Sequence, residues 1–359
     1  MKINKILLYS VIGAALIMLP IGLGMFGNAW VRIIDTALLY VLLAIGLNIV
    51  VGYAGLLDLG YVAFFAVGAY MYALLGSAHL SQTFAWIGAI YPHGLHLPVL
   101  VVIPLAAAVA ALFGVVLGAP TLKLRGDYLA IVTLGFGEII RVFLNNLDHP
   151  VNITNGPKGI SGIDAFHIFG VDMSRPFKMF GMTITSVEMY YYLFLALVLV
   201  SIVLSHRLAF SRVGRAWMAI REDEVAAKAM GINTRNLKLM AFGMGATFGG
   251  VSGALFASFQ GFVSPESFTL MESVMIVSMV VLGGLGHLPG VVLGALLLAA
   301  LPEVLRYVAS PLQAFTGGRL DASILRQLLI ALAMIVIMLM RPRGLWPSPE
   351  RGKSLQVSN

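Results

Sequence analysis

The sequence predicts an all-α polytopic membrane protein of about ten transmembrane helices, with interrupted or re-entrant segments and both termini cytoplasmic. Three observations lead there. The chain is 59% hydrophobic and 11% charged, with a mean hydropathy of +0.94, which leaves too little polar surface for a water-soluble fold of this length. Its apolar runs recur at roughly the 20 residues a helix needs to cross the hydrocarbon. Its basic residues gather in alternate connections between those runs.

Apolar runs bounded by Gly, Pro and charge lie at 6–26, 35–52, 60–76, 98–118, 128–146, 187–205, 237–259, 272–286, 290–307 and 324–340. The first follows Met1-Lys2-Ile3-Asn4-Lys5. It is longer than the apolar core of about 7–15 residues in a secretory signal, and no small-x-small cleavage pattern follows, so it reads as an uncleaved span. The eighth run is short, as an interrupted or re-entrant helix would be. With the N-terminus inside, the cytoplasmic segments hold Lys2, Lys5, Lys123, Arg125, Arg207, Arg212, Arg215, Arg221, Lys228, Arg235, Lys238, Arg341, Arg343, Arg351 and Lys353. These are 15 of the 23 basic residues. That bias obeys the positive-inside rule and requires an even number of crossings. One transmembrane domain then covers 1–346, with a charged cytoplasmic loop at 206–236, a long external loop at 147–186 and a short cytoplasmic tail at 347–359. The external loop is dense in turn formers over 152–162, and reads equally as a solvated connection or a docking surface.

Glycines recur at four-residue spacing in Gly114/Gly118, Gly245/Gly249/Gly253 and Gly286/Gly290/Gly294. This spacing lets helix backbones approach closely. Two further clusters, 52–60 and 283–290, separate consecutive spans at corresponding places. They read either as tight turns or as broken helices bordering a translocation path. Asp58, Glu138, Arg141, Glu272 and Glu303 fall in or near spans, where lipid exposure of a charge costs about 2.5–3.5 kcal/mol at mid-bilayer. Glu138 and Arg141, three apart on one span, are placed to pair.

Several chemistries are missing from the sequence. Cysteine is absent, which removes disulfides, thiolate metal sites and thiol nucleophiles. There is no phosphate-binding Gly-x-x-x-x-Gly-Lys-Ser/Thr loop, no His-Glu-x-x-His and no Gly-x-Ser-x-Gly. The chain therefore carries no catalytic residues, metal or cofactor of its own, and the +7 formal charge is a matter of topology rather than of nucleic acid. The remaining feature is a charged, alanine-rich island at 214–235. It reads as one compact amphipathic helix, with Glu224–Lys228 and Arg221–Glu224 pairs and a stop at Gly231. Such an island suits either a solvated surface helix or a lever that receives force from a soluble partner.

Long blocks of the sequence, in order, resemble the permeases of ABC importers, specifically the branched-chain amino acid permeases of the LivM type. They are Gly46-Leu-Asn-Ile-Val-Val-Gly-Tyr-Ala-Gly-Leu-Leu-Asp-Leu-Gly60 with Phe64-Phe-Ala-Val-Gly-Ala-Tyr70, then Leu124-Arg-Gly-Asp-Tyr-Leu-Ala-Ile-Val-Thr-Leu-Gly-Phe-Gly-Glu-Ile-Ile-Arg141. They continue in Asn155-Gly-Pro-Lys-Gly-Ile160, Gln260-Gly-Phe-Val-Ser-Pro-Glu-Ser-Phe268 and Val280-Val-Leu-Gly-Gly-Leu-Gly286. The resemblance implies a permease subunit without its own ATPase site in a bacterial inner membrane. Its implied partners are a LivH-like permease, two ATP-binding LivG- and LivF-like subunits and a periplasmic binding protein that delivers Leu, Ile or Val. It implies that Arg215, Arg221, Glu222, Glu224, Ala227 and Gly231 meet the ATPase. It also implies that Asn48, Gly52, Gly55, Thr133, Glu138, Gly283 and Gly284 shape or border the path. Leu56 and Asp58 depart from the pattern, since many relatives carry Gln and Ser there. The competing readings are a permease for another small amino acid, amide or urea-like solute, an ion-coupled secondary carrier, and a channel or scaffold subunit.

Overall fold

The computed structural model describes residues 2–315 except 25–26, 123, 125, 169–170 and 180–181, and then 324, 328, 331–332, 334–336, 339–340 and 344–346. The expected tenth span lies partly outside the described residues. The tail at 347–359, Lys123, Arg125, Arg341 and Arg343 lie wholly outside them.

The helices are α1 (Lys2–Gly24), α2 (Asn28–Leu47), which runs on through a π-helical turn at Asn48–Tyr53, and α3 (Val62–Leu75). Two short helices, α4 (His79–Thr83) and α5 (Ala85–Ile90), precede α6 (Val99–Thr121), α7 (Asp127–Asn146) and α8 (Ser186–Ala209). The charged island forms α9 (Arg212–Glu222) and α10 (Glu224–Ala229), followed by α11 (Thr234–Gln260), α12 (Leu270–Gly283) and α13 (Leu288–Phe315). Among the described residues, six helical stretches are long and apolar enough to cross a bilayer by length and composition. Gly13–Gly24 and Val62–Leu75 are shorter apolar helices.

Local sequence explains several helix ends. Thr185 and Glu188 form a reciprocal capping box at the start of α8. Asn233 caps α11 by accepting from the Asn236 N–H at 3.1 Å. Gly261, with φ +66°, closes α11 in the left-handed conformation that glycine adopts freely.

The bundle is organised around α11, which lies between α3 and α6 at backbone distance. A methyl group on Gly250 would stand 2.5 Å from Ala110 Cβ and 2.7 Å from the Ala106 carbonyl on α6. On the opposite side, a methyl group on Gly68 of α3 would meet the Gly250 backbone, with Cα at 2.5 Å and the carbonyl carbon at 2.6 Å. Gly245, Gly249 and Gly253 line the face turned to the Asn48–Tyr53 turn and α3, as their spacing predicts. Gly114 and Gly118 likewise receive Ala246 and Phe242. The third glycine series differs from expectation. Gly286 lies in the turn before α13 with φ +80°, and only Gly290 and Gly294 face Gly283 from the helix.

At one end of the bundle, called the loop end here, Ile160–Ser161 pairs antiparallel with Phe262–Val263. The turn-rich loop before it is self-bonded. The Asn155 N–H donates to Asn152 Oδ1 at 2.8 Å, and the Asn155 amide donates to the Gly159 carbonyl at 2.7 Å. Beyond the strand pair, 264–269 runs to α12 as irregular backbone around a single 3-10 turn at Pro265–Ser267. Phe268 there is fully buried against Phe65 and Phe256. Non-helical backbone at such depth survives when protein covers it. The shortness of α12, expected from its brief apolar run, follows from this approach.

A pH-sensitive contact also lies at the loop end. His96 Nδ1 donates to the Asp164 carboxylate and Nε2 to the His93 carbonyl. Both ring nitrogens face acceptors, so the imidazolium is the form that satisfies both. The hydrogen bond to Asp164, and then the one to His93, raise the His96 pKa above its usual 6.5. A raised folded-state pKa contributes stability that is present below about pH 6.5 and is lost as pH climbs through the folded value. Amides of 91–97 should therefore exchange faster at pH 8.5 than at pH 6, after correction for intrinsic rates. His96→Gln should abolish that difference.

Candidate functional site

The two glycine clusters, far apart in sequence, meet at the end of the bundle opposite the loop end. The α2 helix widens into its π turn just where Asn48 lies. The Asn48 side chain folds back over Gly52, and its Oδ1 accepts the Gly286 N–H at 2.9 Å. A methyl group on Gly52 would occupy the position of that carbonyl and come within 2.7 Å of Gly286 N. Glycine at 52 is thus what permits the bond, and π turns of this kind concentrate at functional sites. Asn48 is fully buried.

The charged island joins the same junction from outside. It is not the single helix its composition suggests. Asp223, extended at φ −154°, ends α9 and caps α10, its Oδ1 accepting from the Val225 and Ala226 N–H groups at 2.8 and 3.0 Å. The carboxylate offers these amides a better partner than a continuing helix would. The charges are redistributed accordingly. Glu224 pairs with Lys238 of α11 at 2.6 Å. Arg221 turns inward and its guanidinium donates to the Gly52 carbonyl, at the C-terminal, negative end of the α2 unit. Gly55, with φ +71°, lies against the Arg221 stem, and a methyl group on Gly286 would come within 2.9 Å of Arg221 Nη1.

The apolar side of α9 explains how the island is held. Trp217 and Ile220 are buried with Ile49, Val50, Tyr53, Leu129 and Phe242 in a small core beneath the π turn. The Trp217 indole donates to the Leu237 carbonyl at 2.7 Å, closing α9 onto α11.

The residues singled out in the island therefore divide. Arg221 (18% exposed side chain) and Ala227 face the bundle, whereas Glu222 (76%), Arg215 and Gly231 face out. Gly231, with φ +83°, ends the segment as expected. No feature of the sequence singles out the exposed apolar pair Val225 (65%) and Met230 (83%), which lie at the two ends of α10. Their flanking by charge hid them from a hydropathy scan.

The path residues also divide. Asn48, Gly52 and Gly55 sit at the junction. Gly283 packs on Gly290 and Val291 of α13, and Gly284 supports the 344–346 stretch, whose Leu345 N–H donates to the Leu282 carbonyl at 2.8 Å. Thr133 and Glu138 lie together on α7. Glu138 pairs with Arg141 at 3.0 Å as their spacing predicts, and Arg141 continues to Glu266 at 3.5 Å. Thr133 Oγ1 accepts the Leu59 N–H at 3.0 Å, tying α7 to the irregular stretch between the π turn and α3. The Leu59 carbonyl in turn accepts from Ser273 of α12 at 2.5 Å. The broken part of α2–α3 is thereby tied to both α7 and α12. Among the described residues, no group of three or more His, Asp or Glu could hold a metal ion.

Comparison with known proteins gives this arrangement its context. Residues 30–339 match the family described as branched-chain amino acid transport system / permease component. The chain belongs to that family. It is 40% identical over 335 residues to the high-affinity branched-chain amino acid transport system permease protein LivM of Escherichia coli (strain K12), covering 90% of this chain and 71% of that one. It is 25% identical over 346 residues to a probable LivM of Methanocaldococcus jannaschii, covering 89% and 95%. To the LivH permease of Salmonella typhimurium it is 24% identical over 320 residues, covering 87% and 92%. No solved structure matches. In this permease family member, six long apolar helices and a buried junction of interrupted ones form a multi-pass membrane protein.

Proposed function

We propose that the chain is a membrane-spanning permease subunit of an ABC importer for branched-chain amino acids, working with a related permease of the LivH kind. Two cytoplasmic ATPases supply the force and an external binding protein delivers the substrate. The subunit crosses the plasma membrane ten times with both termini inside, so that α9 and α10 face the cytoplasm and the loop end faces out.

The observation that carries this reading is the docking of the charged island. Its buried side is fixed beneath the π turn through Trp217, and its outer side presents Glu222, Val225 and Met230 to a partner. An exposed methionine at the end of a short charged helix suits a transient, repacking contact with a soluble subunit. Closure of the ATPases would displace α9 and α10, and Arg221 would pass that displacement to the Gly52 carbonyl. Low affinity in the permease suffices when a binding protein concentrates the substrate, and it aids release.

Co-expression with the two ATPases and the second permease, followed by reconstitution, tests the proposal. ATP and binding protein should together drive uptake of labelled leucine, competed by isoleucine and valine rather than by urea or acetamide. Uphill uptake by this chain alone, driven by an ion gradient, would overturn it. In the same assay, Glu224→Lys should weaken the coupling. It replaces the partner of Lys238, a side chain only 5% exposed, with a like charge, at a cost of about 3 kcal/mol to the α10–α11 contact. ATP hydrolysis should then outrun uptake, with membrane insertion unchanged.

A further inference from the structure

A second polar feature lies apart from the junction, where the irregular stretch before α3 meets α7. Asp58 is only 1% exposed. One of its carboxylate oxygens, Oδ1, accepts the Gly60 N–H at 2.9 Å. The other, Oδ2, is buried and has no hydrogen-bond partner among the described residues. Asp58 borders a small cavity between α3, α6, α7 and α11, whose other walls include Thr133, Phe64, Leu117, Phe136 and Phe242. The cavity holds about one water molecule, which is also about the size of an ammonium group.

The position is held firmly. Gly60 lies so close to the Thr133 carbonyl that no side chain fits there, which fixes the carboxylate against α7. A carboxylate at this depth with little beside it but the Gly60 N–H and the Thr133 hydroxyl is costly to keep charged, and an incoming positive charge offsets that cost. The aromatic walls favour a cation that carries an apolar body, because ring faces attract ammonium groups and accept alkyl groups. Thr133 Oγ1, which accepts the Leu59 N–H and donates to the Ala130 carbonyl, keeps one lone pair on the same wall. An alkali or alkaline-earth ion, which prefers a cage of several oxygens, is poorly served by one carboxylate oxygen and one hydroxyl.

The geometry points to Asp58 as the residue that receives the α-ammonium group of an aliphatic amino acid in transit, with Phe64, Phe136 and Leu117 around its alkyl portion. This assignment rests on the importer reading above. The cavity admits the ammonium group as it stands. The alkyl portion enters as the partly exposed Leu117 and Phe136 side chains move.

The chain contains no cysteine, so Leu117→Cys places a unique thiol of this subunit at the cavity. In the assembled complex, 3-methylbutan-1-amine should slow maleimide labelling of that thiol at least threefold, while 4-methylpentanoate, which lacks the amine, should not. Adding Asp58→Asn should remove the protection. In proteoliposomes, Asp58→Asn should cut leucine uptake at least tenfold and leave binding-protein-stimulated ATP hydrolysis within twofold of wild type. Asp58→Glu should recover part of the uptake. Unchanged uptake in Asp58→Asn, equal protection by the acid and the amine, or parallel loss of uptake and hydrolysis would overturn the assignment. So would uptake that follows Na⁺ or K⁺ when N-methylglucamine replaces them, since the cation would then be inorganic. Failure of the wild-type complex to import leucine would sink the importer reading instead, and the labelling comparison would still decide whether the cavity takes an ammonium group.

Discussion

Arg221→Gln should separate ATP hydrolysis from transport more sharply than any other single change in the charged segment. Arg221 is the one side chain of α9 whose guanidinium reaches the carbonyl of Gly52, and Gly52 belongs to the π turn that also holds Asn48 and, through it, the α12–α13 turn. Trp217 would still anchor α9, so the subunit should fold and assemble. The lost charge-assisted bond is worth about 1.5–3 kcal/mol. Spread over a two-state coupling element, that is roughly a 10- to 150-fold shift in the fraction of strokes transmitted. Uptake of leucine in proteoliposomes should fall by at least about tenfold at that energy, with ATP hydrolysis retained. Arg221→Lys should recover little, because a point charge on a shorter reach replaces a planar fork. Normal uptake per ATP in Arg221→Gln would show that the stroke enters elsewhere.

The second large effect concerns folding. Gly68→Val should prevent a stable subunit from accumulating. The added Cβ meets backbone atoms of Gly250, with Cα at 2.5 Å, and Gly250 is itself held from behind by Ala110 and the Ala106 carbonyl. Backbone atoms cannot rotate out of the way, so α3, α11 and α6 would have to separate together. Overpacking ordinarily costs 1–3 kcal/mol, and a backbone clash of this kind should exceed about 4 kcal/mol. Gly135→Ala is the internal control. It lies on α7 with nothing within 4 Å of its Cβ position, so removing a helical glycine should stabilise by up to about 1 kcal/mol. Fluorescence-detected size exclusion and thermal melting of detergent-solubilised protein would rank the three proteins. Equal yields for Gly68→Val and wild type would refute this packing.

Much of this was legible before any coordinates. The apolar runs marked most of the helices to within a few residues, because hydrocarbon length and terminal charge limit a span, while α2 begins at Asn28 rather than 35 and α13 runs on to Phe315 rather than 307. The i,i+3 spacing of Glu138 and Arg141 was enough to pair them, since both lie on one uninterrupted helix. Gly245, Gly249 and Gly253 announced a close helix contact for the same reason. These are local statements, and helical periodicity carries them.

The island shows where local reasoning stopped. Composition placed Arg221, Glu224 and Lys228 on one helix, but Asp223 breaks it by capping the next. Glu224 then finds Lys238, and Arg221 finds a carbonyl 169 residues away. Only the fold could set that distance, because the carbonyl is exposed by a π turn that has no sequence pattern of its own.

Sequence alone therefore determined that the chain is a membrane protein, where its apolar helices lie and where charge interrupts them, because burial in hydrocarbon is judged residue by residue. The tertiary structure decided which interruptions meet. It brought Gly52 to Gly286, Leu59 to Ser273 and Asp58 to a cavity shared by four helices. Those meetings depend on how closely glycine-faced helices approach, a property of pairs of surfaces that no single segment encodes.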